Sequence, residues 1–572
     1  MRWYFEPRRE QEPDDDEEAS PGLASFPAAL LQRHGAAVLD PPQAAVVYGW
    51  PAPQSTVYRT RTLLVPPELL QEEQVHRAIR NALSEIGLDL VVPEREGTDD
   101  LRPGLPVTVV LVPRAPAGGM SARPVVVDAW TALQTLRAAA SSPQQAGLTV
   151  EAVAQIGLEH LLVGSAITGS PASEGGGVTG SPASEGGGVT GPASTDSYLY
   201  GGWDARTPVD MFMDAPPRQS QGRCAERFGR RPVIAVLDTG IREHRWLGVH
   251  KDPVAPGGYG TDPDGFVAVD LAMQNLIHAN GQLAAGAGDR PRHLIRYPWD
   301  QPLTANHLIG ELDTDTGHGT FIAGIVRQSI PDAQVLAVRI MHSDGIVYEG
   351  DLLYALGLLA NRIAAAQSGD MTLMVDLVSL SLGYFSETQA DRAYTFALWQ
   401  AIEPLLDMGV AVVAAAGNFA TRRRFYPAAF ADLLAPRGVP LISVGALNPN
   451  GSKALFSDGG GWVRAWATGA AVISTFPTDV DGSRDPEVRI PVVVPPGVPV
   501  PGERAALDPD DYSGGFAAWS GTSFSGPAIA GVVAAELLAG AESGGGLSLA
   551  NSGADAAVNR IAHALGNLGW AG

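Results

Sequence analysis

From about residue 228 onward, short and nearly uninterrupted apolar runs alternate with segments of helical length, a pattern few architectures accept. The runs are "PVIAVLD", "QVLAVRI", "VDLVSLSLG", "VAVVAAAG", "PLISVGA" and "AAVIST", and "TFIAGIVRQ", "DLLYALGLLANRIAAA" and "RAYTFALWQAIEPLLDMG" lie between them. A strand without a polar face must be covered on both sides. The alternation therefore predicts an α/β fold, a doubly wound parallel sheet with flanking helices. Ligands of such sheets gather at the carboxyl ends of the strands, where loops meet helix N-termini.

The region upstream reads differently. Residues 1–45, with the acidic run Asp14 to Glu18 and many prolines, are expected to be a poorly ordered arm. Residues 46–165 suggest a small α/β module. "TVYRTRTLLVP" and "LPVTVVLVP" read as strands, Val75, Ile79, Leu83 and Ile86 recur at helical spacing, and Asp128 is placed to cap a helix carrying Trp130, Leu133 and Leu136. Residues 166–227 contain "GSPASEGGGVT" twice in tandem, at 169–179 and 180–190. Gly, Ser, Pro and Ala cannot bury a core, so this segment predicts a flexible linker. Residues 228–572 form the larger domain.

Composition narrows the partners. A net charge of −23 argues against nucleic acid, because phosphate binding needs clustered cations. Cys224 is the single cysteine, so no intramolecular disulfide forms. The first 20 residues lack an apolar signal core, and "PAIAGVVAAELLAG" is interrupted by Glu536 and is short for a bilayer. The expectation is a cytoplasmic protein with no membrane partner.

Four polar residues fall at predicted strand-to-helix transitions. Asp238 ends "PVIAVLD", His318 opens a helix in "GHGTFIAG", Asn418 follows a strand in "VVAAAGN", and Ser523 opens the last long apolar helix in "WSGTSFSGPAIAG". Ser and Pro at such a place also suit an ordinary helix start. Together, however, the four types suit acyl transfer. A hydroxyl becomes a nucleophile when a neutral imidazole takes its proton, and a carboxylate holds that imidazole in the correct tautomer. An amide and a helix-start N–H can stabilise the oxyanion.

"VIAVLDTGI", "GHGTFIAGI", "AAAGN" and "GTSFSGPAIAG", in that order, resemble the signature blocks of the subtilisin-like serine peptidases, over about residues 230–540. The resemblance implies that Asp238 orients, His318 acts as base and acid, Ser523 attacks, and Asn418 with the Ser523 N–H forms the oxyanion hole. "SLSLG" is similar to the family's substrate-pairing strand. Ser381, Leu382 and Gly383 would bind an extended peptide by backbone hydrogen bonds, beside Ala415, Ala416 and Gly417. The implied function is a serine endopeptidase working through an acyl-enzyme on protein or peptide substrates, without cofactor or metal. The N-terminal module would then be a propeptide-like inhibitor or an adaptor, docking reversibly from its tether. A catalytically silent scaffold, and a protease dedicated to one precursor or defence-system partner, are the alternatives.

Other features weigh less. His244 reads as a surface-loop histidine, and Asp313 and Asp315 as a solvated acidic loop before the histidine block. "DVDGSRD" from 479 and "DPDD" from 508 lack the oxygen spacing of a calcium loop and read as solvated insertions. Eighty residues separate Asp238 from His318, only "RQSIPDAQ" follows the histidine helix, and "PVVVPPGVPVPG" precedes the serine block. These predict an insertion near the cleft and no calcium loop after the histidine. Phe419 and Phe425 are expected near the first specificity pocket, favouring an apolar residue before the cut.

Overall fold

The computed structural model describes residues 1–7, 26–93, 105–114, 125–142, 147–165, 206–302, 304–306, 310–388, 392–433, 439–490, 504–544 and 546–570. The acidic run, both tandem repeats and the Pro-rich excursion lie outside these residues.

The apolar runs of the larger domain form one sheet of eight strands, and its spatial order is Trp3–Phe5, Ala465–Thr468, Leu441–Leu447, Ala411–Ala415, Leu377–Leu380, Val233–Asp238, Gln334–Arg339 and Val267–Val269. All neighbours are parallel except the first pair, in which Trp3, Tyr4 and Phe5 run antiparallel to Ala467, Trp466 and Ala465. The six strands between the two edges are buried on both faces, as their near-lack of polar positions requires. The helices His318–Ser329, Glu349–Gln367 and Thr522–Ser543 pack against this sheet. Thr522–Ser543 has 22 residues, its most apolar 18 of mean hydropathy 1.5, long and apolar enough to cross a membrane, and 78% of that stretch is buried within the fold.

The start of the chain differs from an unfolded arm at both described places. Trp3–Phe5 closes one edge of the core sheet, and the Phe5 ring meets Trp570 edge-on at 5.1 Å. Ala28–His34 is a helix, and Ala36–Val38 pairs with Val57–Val65. The partners of Trp3–Phe5 lie more than 450 residues away in sequence, so local composition does not announce them.

In the module, Val57–Val65 pairs with Val107–Pro113, which pairs with Leu88–Val91. Val75, Ile79 and Leu83 of the helix Glu73–Glu85 are buried, and the Asp128 carboxylate accepts the Thr131 N–H at 2.9 Å. The module's last strand, Gly157–Gly164, joins the two parts of the molecule. One half pairs with Val57–Val65, and the other lies between Ile346–Tyr348 and Leu382–Phe385, antiparallel to both. The module and the cleft thus share one sheet.

Candidate active site

The core sheet presents Asp238 and His318 to each other. Asp238 is the last residue of its strand, and the Thr239 N–H holds its Oδ1 at 2.8 Å. His318 opens its helix after Gly317, whose φ of 83° and contact with the Phe476 ring, 2.5 Å from where a Cβ would stand, admit only glycine. Gly319 passes so close to Gly240 that a Cβ would lie 2.2 Å from its carbonyl oxygen. That approach seats His318 Nδ1 at 2.8 Å from Asp238 Oδ1. The ring is buried against Trp519 and Phe524, with centroids at 5.5 and 5.6 Å. Burial opposes its charge, but Asp238, and then Asp315 and Asp300, outweigh that and push its pKa up.

Ser523 is the second residue of its helix and is fully buried. Its hydroxyl donates to the Ser381 carbonyl at 3.3 Å, while His318 Nε2 has no hydrogen-bond partner among the described residues. Asn418 is turned by Thr522, whose N–H and hydroxyl both donate to Asn418 Oδ1 at 2.9 Å. The amide nitrogen therefore faces the cleft. There it donates to the carbonyl oxygen of Ser165 at 2.6 Å, and the Ser523 N–H donates to the same oxygen at 2.9 Å.

The chain thus places its own backbone carbonyl against these two donors. The Ser165 N–H donates to Ser381 at 3.0 Å, Gly164 pairs with Leu382, and Val163 pairs with Gly383. The structure brings Ser381, Leu382 and Gly383 to this segment. Ala415 and Ala416 are instead buried against Val444, and the Gly417 N–H donates to Thr522 Oγ1 at 3.1 Å.

Several expectations are corrected. His244 is 1% exposed. Its Nε2–H donates to the Gly515 carbonyl at 2.9 Å, and burial lowers its pKa to about 4. The strand Phe516–Trp519 covers it. Asp313 and Asp315 are buried as well, and burial raises both to about 6. The helix Ala28–His34 covers this loop and sends Arg33 to Asp313 at 3.0 Å and to Asp344 at 2.7 Å. Asp479 is not a solvated acid, for it pairs with Arg242 at 2.9 Å and accepts from Tyr259 at 2.7 Å. Asp481 is exposed and Asp508 half-buried, as in a solvated insertion, and with buried Asp510 they bring carboxylate oxygens within 4.8 Å of one another.

Sequence reasoning missed two residues. Asp458 accepts the N–H groups of Phe419 at 2.8 Å and Thr421 at 3.0 Å, holding the turn that follows Asn418. Ser165 directly follows the strand Gly157–Gly164 and carries no local signal of its position. Only the pairing of the strand with the cleft reveals it.

A model of the "Subtilase family" matches residues 229–543, more than half of the chain. The chain is 30% identical over 179 residues to the "Thermophilic serine proteinase" of Bacillus sp. (strain AK1), covering 31% of this chain and 37% of that protein. It is 32% identical over 184 residues to "Subtilisin BL" of Lederbergia lenta, covering 30% and 59%, and 31% identical over 178 residues to "Thermitase" of Thermoactinomyces vulgaris, covering 29% and 54%. The matched region thus spans less than two thirds of each of these relatives. Among solved structures, a "cold adapted subtilisin-like serine proteinase" aligns with a TM-score of 0.31 at 18% identity, covering 58% of this chain and 83% of that one.

Proposed function

The chain belongs to the subtilase family, and on that premise we propose that it is a serine endopeptidase whose cleft is held by its own N-terminal module. Ser523 Oγ adds to the carbonyl carbon of a bound peptide while its proton passes to His318 Nε2, the atom left without a partner. Asp238 holds Nδ1–H and stabilises the imidazolium. The oxyanion is received by Asn418 Nδ2–H and the Ser523 N–H. His318 then protonates the leaving amine, and water releases the acyl group by the same steps in reverse. Before attack, the hydroxyl must turn from Ser381 to His318.

One observation carries this proposal: a peptide carbonyl, that of Ser165, lies between the two oxyanion donors at 2.6 and 2.9 Å. The strand before it is held by backbone pairing on both sides, the way an extended substrate is held. The module therefore acts as an inhibitor in place, and the bond from Ser165 to Ala166 is the first one the enzyme cuts. A silent scaffold is the second possibility, favoured by the bond from the Ser523 hydroxyl to Ser381.

Purified full-length protein, followed by mass spectrometry and then treated with a fluorophosphonate, separates the two. The expected result is a fragment beginning at Ala166 and a label on Ser523, both absent from Ser523→Ala. An uncut, unlabelled wild-type chain overturns the peptidase proposal.

A further inference from the structure

The two residues before the proposed cut are Gly164 and Ser165, and the structure leaves room for little else at either. A Cβ on Gly164 would stand 2.9 Å from Asp315 Oδ1 and 3.4 Å from Met341 Sδ. Asp315 cannot retreat. It is 3% exposed, its other oxygen accepts from Thr314 at 3.0 Å, and that oxygen lies 2.4 Å from where a Cβ on Gly345 would be.

Ser165 is equally confined. Its N–H is held by Ser381 and its carbonyl by Asn418 and Ser523, so the residue sits between the segment Ser381–Gly383 and the turn at Gly417. It is 2% exposed, and its hydroxyl finds no partner among the described residues. A long side chain entering between those segments would meet Phe425. That ring lies 2.3 Å from the Cβ position of Gly383 and 3.1 Å from that of Gly417. It is fully buried and braced by Phe385 at 5.1 Å and Phe419 at 5.8 Å, so it does not swing aside. Phe425 thus narrows the space beside Gly383 and Gly417.

We infer that the site selects peptides with glycine two residues before the cut and serine, alanine or glycine immediately before it, Phe425 excluding larger side chains. The inference rests on the endopeptidase proposal and names that enzyme's substrate class. The segment Gly157–Ser165 is then a fitted substrate as well as an inhibitor. At the fourth place before the cut, Leu162 is wholly buried in the main core, so an aliphatic residue belongs there.

The test measures self-cutting of the full chain by mass spectrometry. Ser165→Ala should be cut at nearly the wild-type rate, because it removes an unpartnered hydroxyl. Ser165→Phe should be slower by roughly 10- to 100-fold, the range expected for overfilling a pocket. Adding Phe425→Ala to Ser165→Phe should restore most of the loss, and Gly164→Val should slow cutting as Ser165→Phe does. The processed enzyme is then given the peptide LLVGSAIT with its serine replaced by Ala, Phe, Leu or Arg, and the Ser and Ala forms should be turned over fastest.

Equal cutting of Ser165→Phe, no rescue by Phe425→Ala in a protein that still labels at Ser523, or preference for Phe, Leu or Arg in the peptides would each overturn the inference. A preference for Arg would point to Asp458, whose second oxygen lies 2.2 Å from the Cβ position of Gly417. Any of these in a chain that labels and cuts leaves the endopeptidase proposal standing. A chain that neither labels nor cuts removes both.

Discussion

The two large sheets of this molecule are held by different forces. The core sheet, from Trp3–Phe5 to Val267–Val269, packs against the largest apolar cluster, and its buried charges, Asp238 with His318 and Asp376 with Arg230, stand at strand ends. The second sheet, which joins the module to the cleft, is bordered by buried charge. His160, in the shared strand, lies 2.7 Å from Glu349 and 2.8 Å from Glu387, stacked on Tyr384. Arg292 spans Asp289 at 2.9 Å and Asp351 at 2.6 Å, and His34 reaches Asp344 at 2.8 Å. Hydrophobic burial does not depend on protonation, whereas a buried ion pair does. The sheet that joins the module to the cleft is therefore expected to respond to pH more than the core sheet does.

The largest expected effect belongs to the frame. Ser523→Ala or His318→Ala should remove about 10⁶ of the self-cutting rate, and Asn418→Ala roughly 10² to 10³, while the thermal midpoint of the larger domain barely moves. Normal cutting in either of the first two variants would dissolve the proposed triad.

Breaking the joint comes next. His160→Ala removes the imidazole that buried Glu349 and Glu387 share, and loss of one member of such a group costs about 3–5 kcal/mol. Denaturant titration should show the module leaving early and the core unfolding at its usual midpoint. A single transition shifted as a whole would show that the two sheets are not separable.

Protonation should reach the same joint without mutation. Burial disfavours a charged His160, but Glu387 and Glu349 overrule it and raise its pKa to about 10. Its contribution to docking is then complete below the ordinary histidine value of about 6.5 and is lost as pH climbs through about 10. For Glu387, burial again opposes charge but His160 prevails and depresses the pKa, so its share is present above about 4.3 and is lost on acidification. Size-exclusion chromatography of the cut protein should find the module retained near pH 6 and released toward pH 10. Retention at pH 10 would remove His160 from the joint. The raised pKa of His318 acts on catalysis in the opposite direction: the base is protonated until pH exceeds about 6.5, so peptide turnover should fall as pH drops through a value above that.

The smallest effect lies inside the module. Asp128→Ala removes a helix cap and the 2.7 Å bond from Tyr58, for a loss of roughly 1–2 kcal/mol in module unfolding with self-cutting unchanged.

Much of this was legible in the linear chain because the signals are local. An apolar run without polar positions already states that both faces are covered, so Val233–Asp238 and Ala411–Ala415 declare the parallel sheet. The helix starts at His318 and Ser523 declare where that sheet presents polar groups. Local pattern also suffices for the Asp128 cap and the buried stripe at Val75, Ile79 and Leu83. What depended on distant partners was not legible. His244, Asp313 and Asp315 have the composition of surface loops and are buried because other segments cover them. Trp3–Phe5 finds its place only once Ala465–Thr468 offers an open edge. The position of Ser165 between Asn418 and Ser523, and the closing of its pocket by Phe425, arise from segments more than 200 residues apart. Backbone hydrogen bonding and steric exclusion act through space, so only the folded chain decides which residues meet.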